Sequence, residues 1–222
     1  MKLTAIKYYI SSIWTLMFQT NFLIIPLILI KKPILFKTKS ELKFYVNSLM
    51  DIWTIKEVVL DKNYHRFQNI NKGDIVIDIG ASIGDFSILT SKRAKKVYSF
   101  DPNTNRAKLF KKNIKINNIK NIEFEKKKIY SIEAIFQKKR LKKCDFMKID
   151  CEGNEYKIFE KINPKILRKI NYISFEIHLF NKQMKKNYED LKKIFIKNKF
   201  TIKEIPNPVH SYILYAYCKK RI

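Results

Sequence analysis

Four places along the chain set reactive side chains beside a glycine or at the end of an apolar run. The first reads Asp78-Ile79-Gly80-Ala81-Ser82-Ile83-Gly84. A strand that runs into a glycine-spaced turn and then a helix leaves free N–H groups at the helix start, which suits a nucleotide-like ligand. Gly80 permits the sharp turn and Gly84 a close backbone approach. The G-x-x-x-G spacing departs from G-x-G-x-x-G, so it does not fit a pyrophosphate dinucleotide.

The second place is Asp101, after Phe100 and before Pro102, about 20 residues past the turn. An acidic residue there accepts hydrogen bonds from both hydroxyls of a ribose. It can also cap the following helix. The third is Lys148-Ile149-Asp150-Cys151-Glu152-Gly153. If the strand runs through it, Asp150 and Glu152 face one side. Neighbouring carboxylates push each other's pKa values apart, which suits acid–base work; the bland alternative is a helix-capping pair. The fourth is Glu176-Ile177-His178, where the same period puts the acid and the imidazole on one face. His178 is the first choice of proton acceptor, with Asp150 and Glu152 next; a structural Glu176–His178 pair is the alternative.

These residues need elements that end at one edge. Apolar patterning predicts a hairpin over 34–46, a helix over 51–59, and strands over 74–79, 97–101, 122–124, 145–150 and 171–178. Helices over 84–92, 103–117, 131–143 and 155–162 intervene, and one over 188–196 follows. Strands over 200–205 and 212–218 close the chain around Pro206 and Pro208. Alternating strands and helices imply an α/β fold with a mostly parallel sheet, here ending in an antiparallel hairpin. Ligands of such sheets bind beyond the carboxyl ends of the strands, where all four places fall. The chain divides into a hydrophobic segment (1–33), a lead-in hairpin and helix (34–70) and a catalytic-size domain (71–222).

The 222 residues carry 46 Lys+Arg against 20 Asp+Glu, a net charge of +26, with 46% hydrophobic residues. That excludes a disordered basic tail. The positive field draws the chain toward phosphates or anionic lipid. Cys144, Cys151 and Cys218 have no CxxC spacing, and no two His stand at helical spacing. A disulfide framework, a zinc site and HExxH chemistry are therefore not expected. No metal is assigned, since Asp150, Glu152 and Glu176 do not make a metal site by being acidic.

Residues 8–30 carry no charge, and Lys31 and Lys32 close the run. Ser11, Thr15 and Gln19 form a polar stripe, and Pro26 breaks a helix, so two short elements are expected. Three roles are open: a membrane span, an interfacial helix, or a helix packed on the domain. If the segment spans, the Lys-rich side after residue 30 belongs inside, which puts the body of the protein in the cytoplasm; the expected location is cytoplasmic, peripheral or anchored at the cytoplasmic face of a membrane.

In that order, the four motifs resemble the FkbM-type S-adenosylmethionine-dependent methyltransferases, from about residue 51 to 178. The resemblance implies a Rossmann-like class I methyltransferase fold with a seven-stranded sheet. It implies that Asp78, Gly80, Ala81, Ser82 and Gly84 meet the cofactor, S-adenosylmethionine, with Asp101 at its ribose and Asp150 near its methionine end. The family more often has Glu at the position of Asp101 and Asn at that of Ser82. It implies O-methylation of a sugar, glycan or glycolipid-type acceptor, with Asp51, Trp53 and Glu57 in a helix bordering the site. The charge favours a nucleic-acid acceptor, but no Asn/Asp-Pro-Pro-aromatic, Pro-Cys or Lys-Asp-Lys-Glu arrangement supports one. The non-enzymatic rival, a membrane-associated Rossmann-like scaffold, sits poorly with an intact set of Asp78, Gly80, Gly84, Asp101 and Asp150.

Overall fold

The structure is a computed structural model that describes residues 3–30 and 32–221; Lys31, one of the two lysines closing the uncharged run, lies outside them. That run does form two elements. Helix α1 (Leu3–Gln19) stops where Asn21 turns onto the first strand, and a 3-10 helix (Phe22–Ile30) carries Pro26. Asn21 causes the break: its side chain donates to Leu35 O at 3.1 Å and accepts from Lys37 N at 2.7 Å. No helix among the described residues is long and apolar enough to cross a membrane. One face of α1 packs inward through Ala5, Ser12 and Leu16. The opposite face is bare, with Trp14 56% exposed, and Leu23 and Leu29 beyond it are 90% and 81% exposed.

Strands β1 (Ile34–Lys37) and β2 (Lys43–Val46) pair antiparallel as the expected hairpin. Helix α2 (Leu49–Ile55) starts in a capping box between Ser48 and Asp51 and runs on as a π-helical turn, Lys56–Leu60. A short 3-10 turn, Asn63–His65, leads to the main sheet.

That sheet alternates with helices: β3 (Ile75–Ile79), α3 (Asp85–Ser91), β4 (Lys96–Phe100), α4 (Thr104–Ile116), β5 (Ile122–Glu125), α5 (Ile132–Lys138) and β6 (Phe146–Ile149). Then come α6 (Glu155–Phe159), α7 (Pro164–Leu167), β7 (Tyr172–His178), α8 (Lys182–Lys197), β8 (Phe200–Pro206) and β9 (Ile213–Lys220). The strand order is β5-β4-β3-β6-β7-β9-β8. The first five are parallel, and β9 is antiparallel to both neighbours. This is the expected seven-stranded sheet. All four residues of β6 are buried, as a parallel strand covered on both faces requires. The order reverses between β3 and β6, which opens a crevice at their carboxyl ends.

Aromatic packing fixes both faces. Phe159, Phe175, Phe195 and Phe200 form a chain of ring contacts at 5.2–5.7 Å on one side. Phe86, Phe146 and Tyr172 do the same on the other. The hairpin docks on α4 through two amides, the buried Asn113 and the half-buried Asn117: Asn113 accepts from Tyr45 N at 2.6 Å, and Asn117 donates to Lys43 O at 2.6 Å.

Three local readings change. Helix α8 begins six residues earlier than its apolar pattern, because Asn181 accepts from Met184 N and starts it. Helix α7, unread in the sequence, is set by Asn163 as cap and Pro164 at its first position. Strand β6 ends at Ile149, so Asp150 and Glu152 are not alternate residues of a strand. Glu152 instead sits in a turn with φ +53°.

Candidate active site

A cavity of about 860 Å³ lies over the carboxyl ends of the central strands. On one side the turn after β3 forms its wall. Gly80 has φ +80°, and its missing side chain leaves room for Asp150: a Cβ there would stand 1.6 Å from the Asp150 carbonyl oxygen. Ser82 follows in the left-handed region at φ +48° and points its N–H at Asp101 Oδ2, 2.9 Å away. Asp101 Oδ1 accepts from Asn103 N at 2.8 Å, and Asn103, not Asp101, caps α4. Asp101 is therefore a carboxylate fixed by two backbone donors at the cavity wall, with lone pairs left over.

The turn is held from behind. Lys148 is buried, donates to Gly80 O at 2.6 Å, and stands 3.4 Å from Asp78 and 3.6 Å from Asp150. Burial opposes its charge, but Asp78 and Asp150 outweigh that and raise its pKa above the ordinary value. Asp78 is fully buried and accepts from Ser87 Oγ at 2.6 Å. Gly80, Ser82, Asp101 and Asp150 line the cavity; Asp78, Ala81 and Gly84 lie beneath the turn and support it. Trp53 and Glu57 also line the cavity, while Asp51 acts at one remove by pairing with Arg106 in the wall.

The opposite side collects acid groups around one imidazole. The Tyr64 hydroxyl lies between two carboxyl groups, 3.1 Å from both Asp150 Oδ2 and Glu176 Oε2. Burial, then the Asp150 charge, pushes the Glu176 carboxyl up to about 8. His178 Nδ1 is 3.2 Å from Glu155 Oε1. Glu155, itself fully buried, also accepts from Cys151 N and Gly153 N at 2.9 and 3.1 Å. His178 Nε2 faces Glu152 Oε2 at 3.4 Å and Glu176 Oε1 at 3.7 Å. Burial lowers the pKa of His178, but the Glu155 hydrogen bond with the charges of Glu155, Asp150 and Glu152 prevails, lifting it to about 9. These acids favour the protonated ring, and His178 serves as a base or a metal ligand only after it gives that proton up. Glu152 is 80% exposed at the side chain, and burial of the remainder raises its carboxyl.

So the structure gathers Asp150, Glu152, Glu176 and His178 in one cluster, adjoining Gly80, Ser82 and Asp101. No local pattern marks Tyr64, whose two partners lie 86 and 112 positions away in the chain. Lys148 sits inside the third motif, two residues before Asp150, and that spacing was the available signal; Glu155 lies two residues beyond the motif.

Residues 120–202 match the family model of the methyltransferase FkbM domain. Residues 53–141 match that of the TRM5/TYW2 methyltransferase domain. The tRNA (guanine(37)-N(1))-methyltransferase Trm5b of Methanocaldococcus jannaschii is 42% identical over 52 residues, 23% of this chain and 15% of the relative. A protein of Methanococcus maripaludis named as a cobalt-precorrin-6B C(15)-methyltransferase is 34% identical over 104 residues, 46% of this chain and 53% of the relative. These matches span between 15% and about half of the relatives' length. Two solved structures share the fold. One, from Streptococcus mutans in complex with SAH, is 17% identical, covers 68% of this chain and 91% of its own, and has a TM-score of 0.55. Trm5b from Pyrococcus abyssi is also 17% identical, covers 80% and 53%, and has a TM-score of 0.52. The seven-stranded architecture is thus the Rossmann-like methyltransferase fold, and S-adenosylmethionine as cofactor agrees with the SAH-bound neighbour.

Proposed function

We propose that this chain, which carries a methyltransferase domain, moves a methyl group from S-adenosylmethionine to a hydroxyl of an acceptor seated over Asp150, Glu152 and His178. The cofactor supplies a methyl already activated on a sulfonium. Its fit rests on three features of the chain: the Gly80 turn packed against Asp150, the backbone-fixed Asp101 carboxylate, and a cavity large enough for it with an acceptor. Asp101 is assigned to the ribose and Asp150 to the methionine end. Asp78, Ala81 and Gly84 act by holding the turn, and Gly80 and Ser82 by meeting the cofactor. The protein then has two tasks: to align the hydroxyl and to receive its proton. Asp150 and Glu152 are the groups within reach for the second, and His178 is a third once its own proton has left.

The observation that carries the hydroxyl reading is how the two family matches divide the site. The TRM5/TYW2 match ends at residue 141 and holds the cofactor half, Asp78 to Asp101. Asp150, Glu152, Glu155, Glu176 and His178 all fall in the FkbM-matched half. Sugar, glycan or glycolipid hydroxyls are the acceptors that the FkbM resemblance implies. A second reading is RNA methylation, favoured by the net charge of +26 and by relatives named as tRNA and RNA methyltransferases. The relatives' names weigh toward RNA; the acceptor-side residues weigh toward a hydroxyl. Incubation with methyl-labelled S-adenosylmethionine and separate RNA and glycan or polar-lipid fractions decides between them. Label in the glycan or lipid fraction, lost in His178→Ala with cofactor binding retained, supports the first reading. Label in RNA alone replaces it with the second.

Two settings accompany this reading. The bare apolar face of α1 and the 3-10 helix, next to exposed Lys32, Lys37 and Lys39, suits docking on an anionic lipid surface. The three free cysteines suit a reducing, cytoplasmic compartment.

A further inference from the structure

We infer that Asp150, Glu176 and His178 form a divalent-cation site on the cavity floor, where the acceptor hydroxyl is seated. The inference rests on the methyl-transfer reading for its purpose, but its geometry stands alone. One carboxylate oxygen each from Asp150 and Glu176 and one ring nitrogen of His178 lie within 4.8 Å of one another. Ligands about 2.1 Å from a shared cation stand about 3 to 4 Å apart, so side-chain shifts of about 1 Å or less close the set.

The surrounding groups leave the inward atoms free. Tyr64 engages Asp150 through Oδ2 and Glu176 through Oε2, and Lys148 also approaches Asp150 at Oδ2. Asp150 Oδ1 and Glu176 Oε1 make no hydrogen bond among the described residues. The His178 side chain is only 3% exposed, yet its Nε2 makes no hydrogen bond among the described residues; it points at the Glu152 and Glu176 carboxylates. Its other nitrogen is held by Glu155, which two backbone N–H groups fix in turn. A carboxylate on the far nitrogen is the usual outer partner of a metal-bound histidine, setting both tautomer and ring direction.

Charge points the same way. In a chain of net charge +26, three carboxylates, Asp150, Glu152 and Glu176, converge on one imidazole beside the buried Lys148. Two carboxylates and one imidazole, with the cavity open on the remaining side, suit Mn²⁺ or Mg²⁺. A cation there would leave Glu152, outside the ligand set and exposed to the cavity, as the residue free to take the acceptor's proton.

The test uses the full chain and Mn²⁺ alone, titrated without S-adenosylmethionine and followed by the paramagnetic resonance of free Mn²⁺. One site per chain is expected. Glu176→Gln and His178→Ala should each weaken it at least tenfold, and Glu155→Gln by about 10- to 100-fold. Glu160→Gln, an exposed change away from the cavity, should leave it unaltered. Thermal melting of each variant verifies folding, and a Mn²⁺-dependent rise in wild-type Tm, absent in Glu176→Gln, gives a second readout. No site in the wild type, or full affinity in Glu176→Gln, overturns the inference. S-adenosylmethionine binding is measured in parallel. If it persists while Mn²⁺ fails to bind, only the cation site falls; if S-adenosylmethionine itself fails to bind, the methyl-transfer reading falls.

Discussion

Replacing Gly80 by Ala should damage the site through a contact that a second glycine does not have. Gly80 and Gly73 both have a left-handed φ, +80° and +93°. Around Gly73 an added Cβ meets nothing within 4 Å, whereas at Gly80 it meets the Asp150 carbonyl oxygen at 1.6 Å and its carbon at 2.7 Å. Gly73→Ala therefore incurs only the left-handed backbone strain of an alanine, about 1–2 kcal/mol. Gly80→Ala adds overpacking against backbone that no rotamer change relieves, at least about 1–3 kcal/mol more. Relief requires the β3 turn and the start of the Asp150 loop to separate, which also shifts the Lys148 bond to Gly80 O. Urea denaturation of both variants, with calorimetric titration of S-adenosylmethionine, measures the two effects. The expected pattern is a mild loss with normal cofactor affinity for Gly73→Ala. Gly80→Ala should show a larger loss and at least tenfold weaker affinity. Equal stability losses and equal affinities in the two variants would refute the close approach as the reason for Gly80.

His65 is packed on Phe86 at 5.1 Å, and burial, then Lys62, lowers its pKa to about 4 from an ordinary 6.5. The folded chain thus holds fewer protons there, so the contribution is full above pH 6.5 and is lost as pH falls toward 4, by up to about 3 kcal/mol. Urea midpoints at pH 7 and pH 4 should differ by less in His65→Phe than in the wild type; equal differences count against this assignment. Lys148→Met should destabilise by about 3–5 kcal/mol by stranding Asp78, and adding Asp78→Asn should recover part of that, as read by thermal melting. Vesicles containing anionic lipid should float the wild type and release a Trp14→Ser, Leu23→Ser, Leu29→Ser variant. Equal flotation of both would deny the apolar face its lipid contact.

The cofactor half was legible because its signal is local. Asp78, Gly80 and Gly84 need neighbours only a few residues away to define a strand, a turn and a helix start. Asp101 follows at a spacing that the sheet topology dictates. The acceptor half was legible in residue identity but not in arrangement. Reading β6 through Glu152 put two carboxylates on one strand face, yet the strand stops at Ile149 and the left-handed Glu152 swings its carboxylate toward His178. The Tyr64 bridge comes from a short 3-10 turn far upstream, and no periodicity marks it. Glu155 looked like the first residue of a helix. Its hold on His178 depends on β7 lying beside β6, which is a tertiary fact. The break in the N-terminal run was predicted from Pro26 and the polar stripe, but its anchor is Asn21 reaching across to β1.

Calorimetric titration of S-adenosylmethionine into the wild-type chain and into Asp101→Ala tests the central claim most directly. The account predicts one cofactor per chain in the wild type and binding abolished in a folded Asp101→Ala protein. Absence of binding to a folded wild type would contradict the methyltransferase reading. Undiminished binding to Asp101→Ala would show that the ribose lies elsewhere.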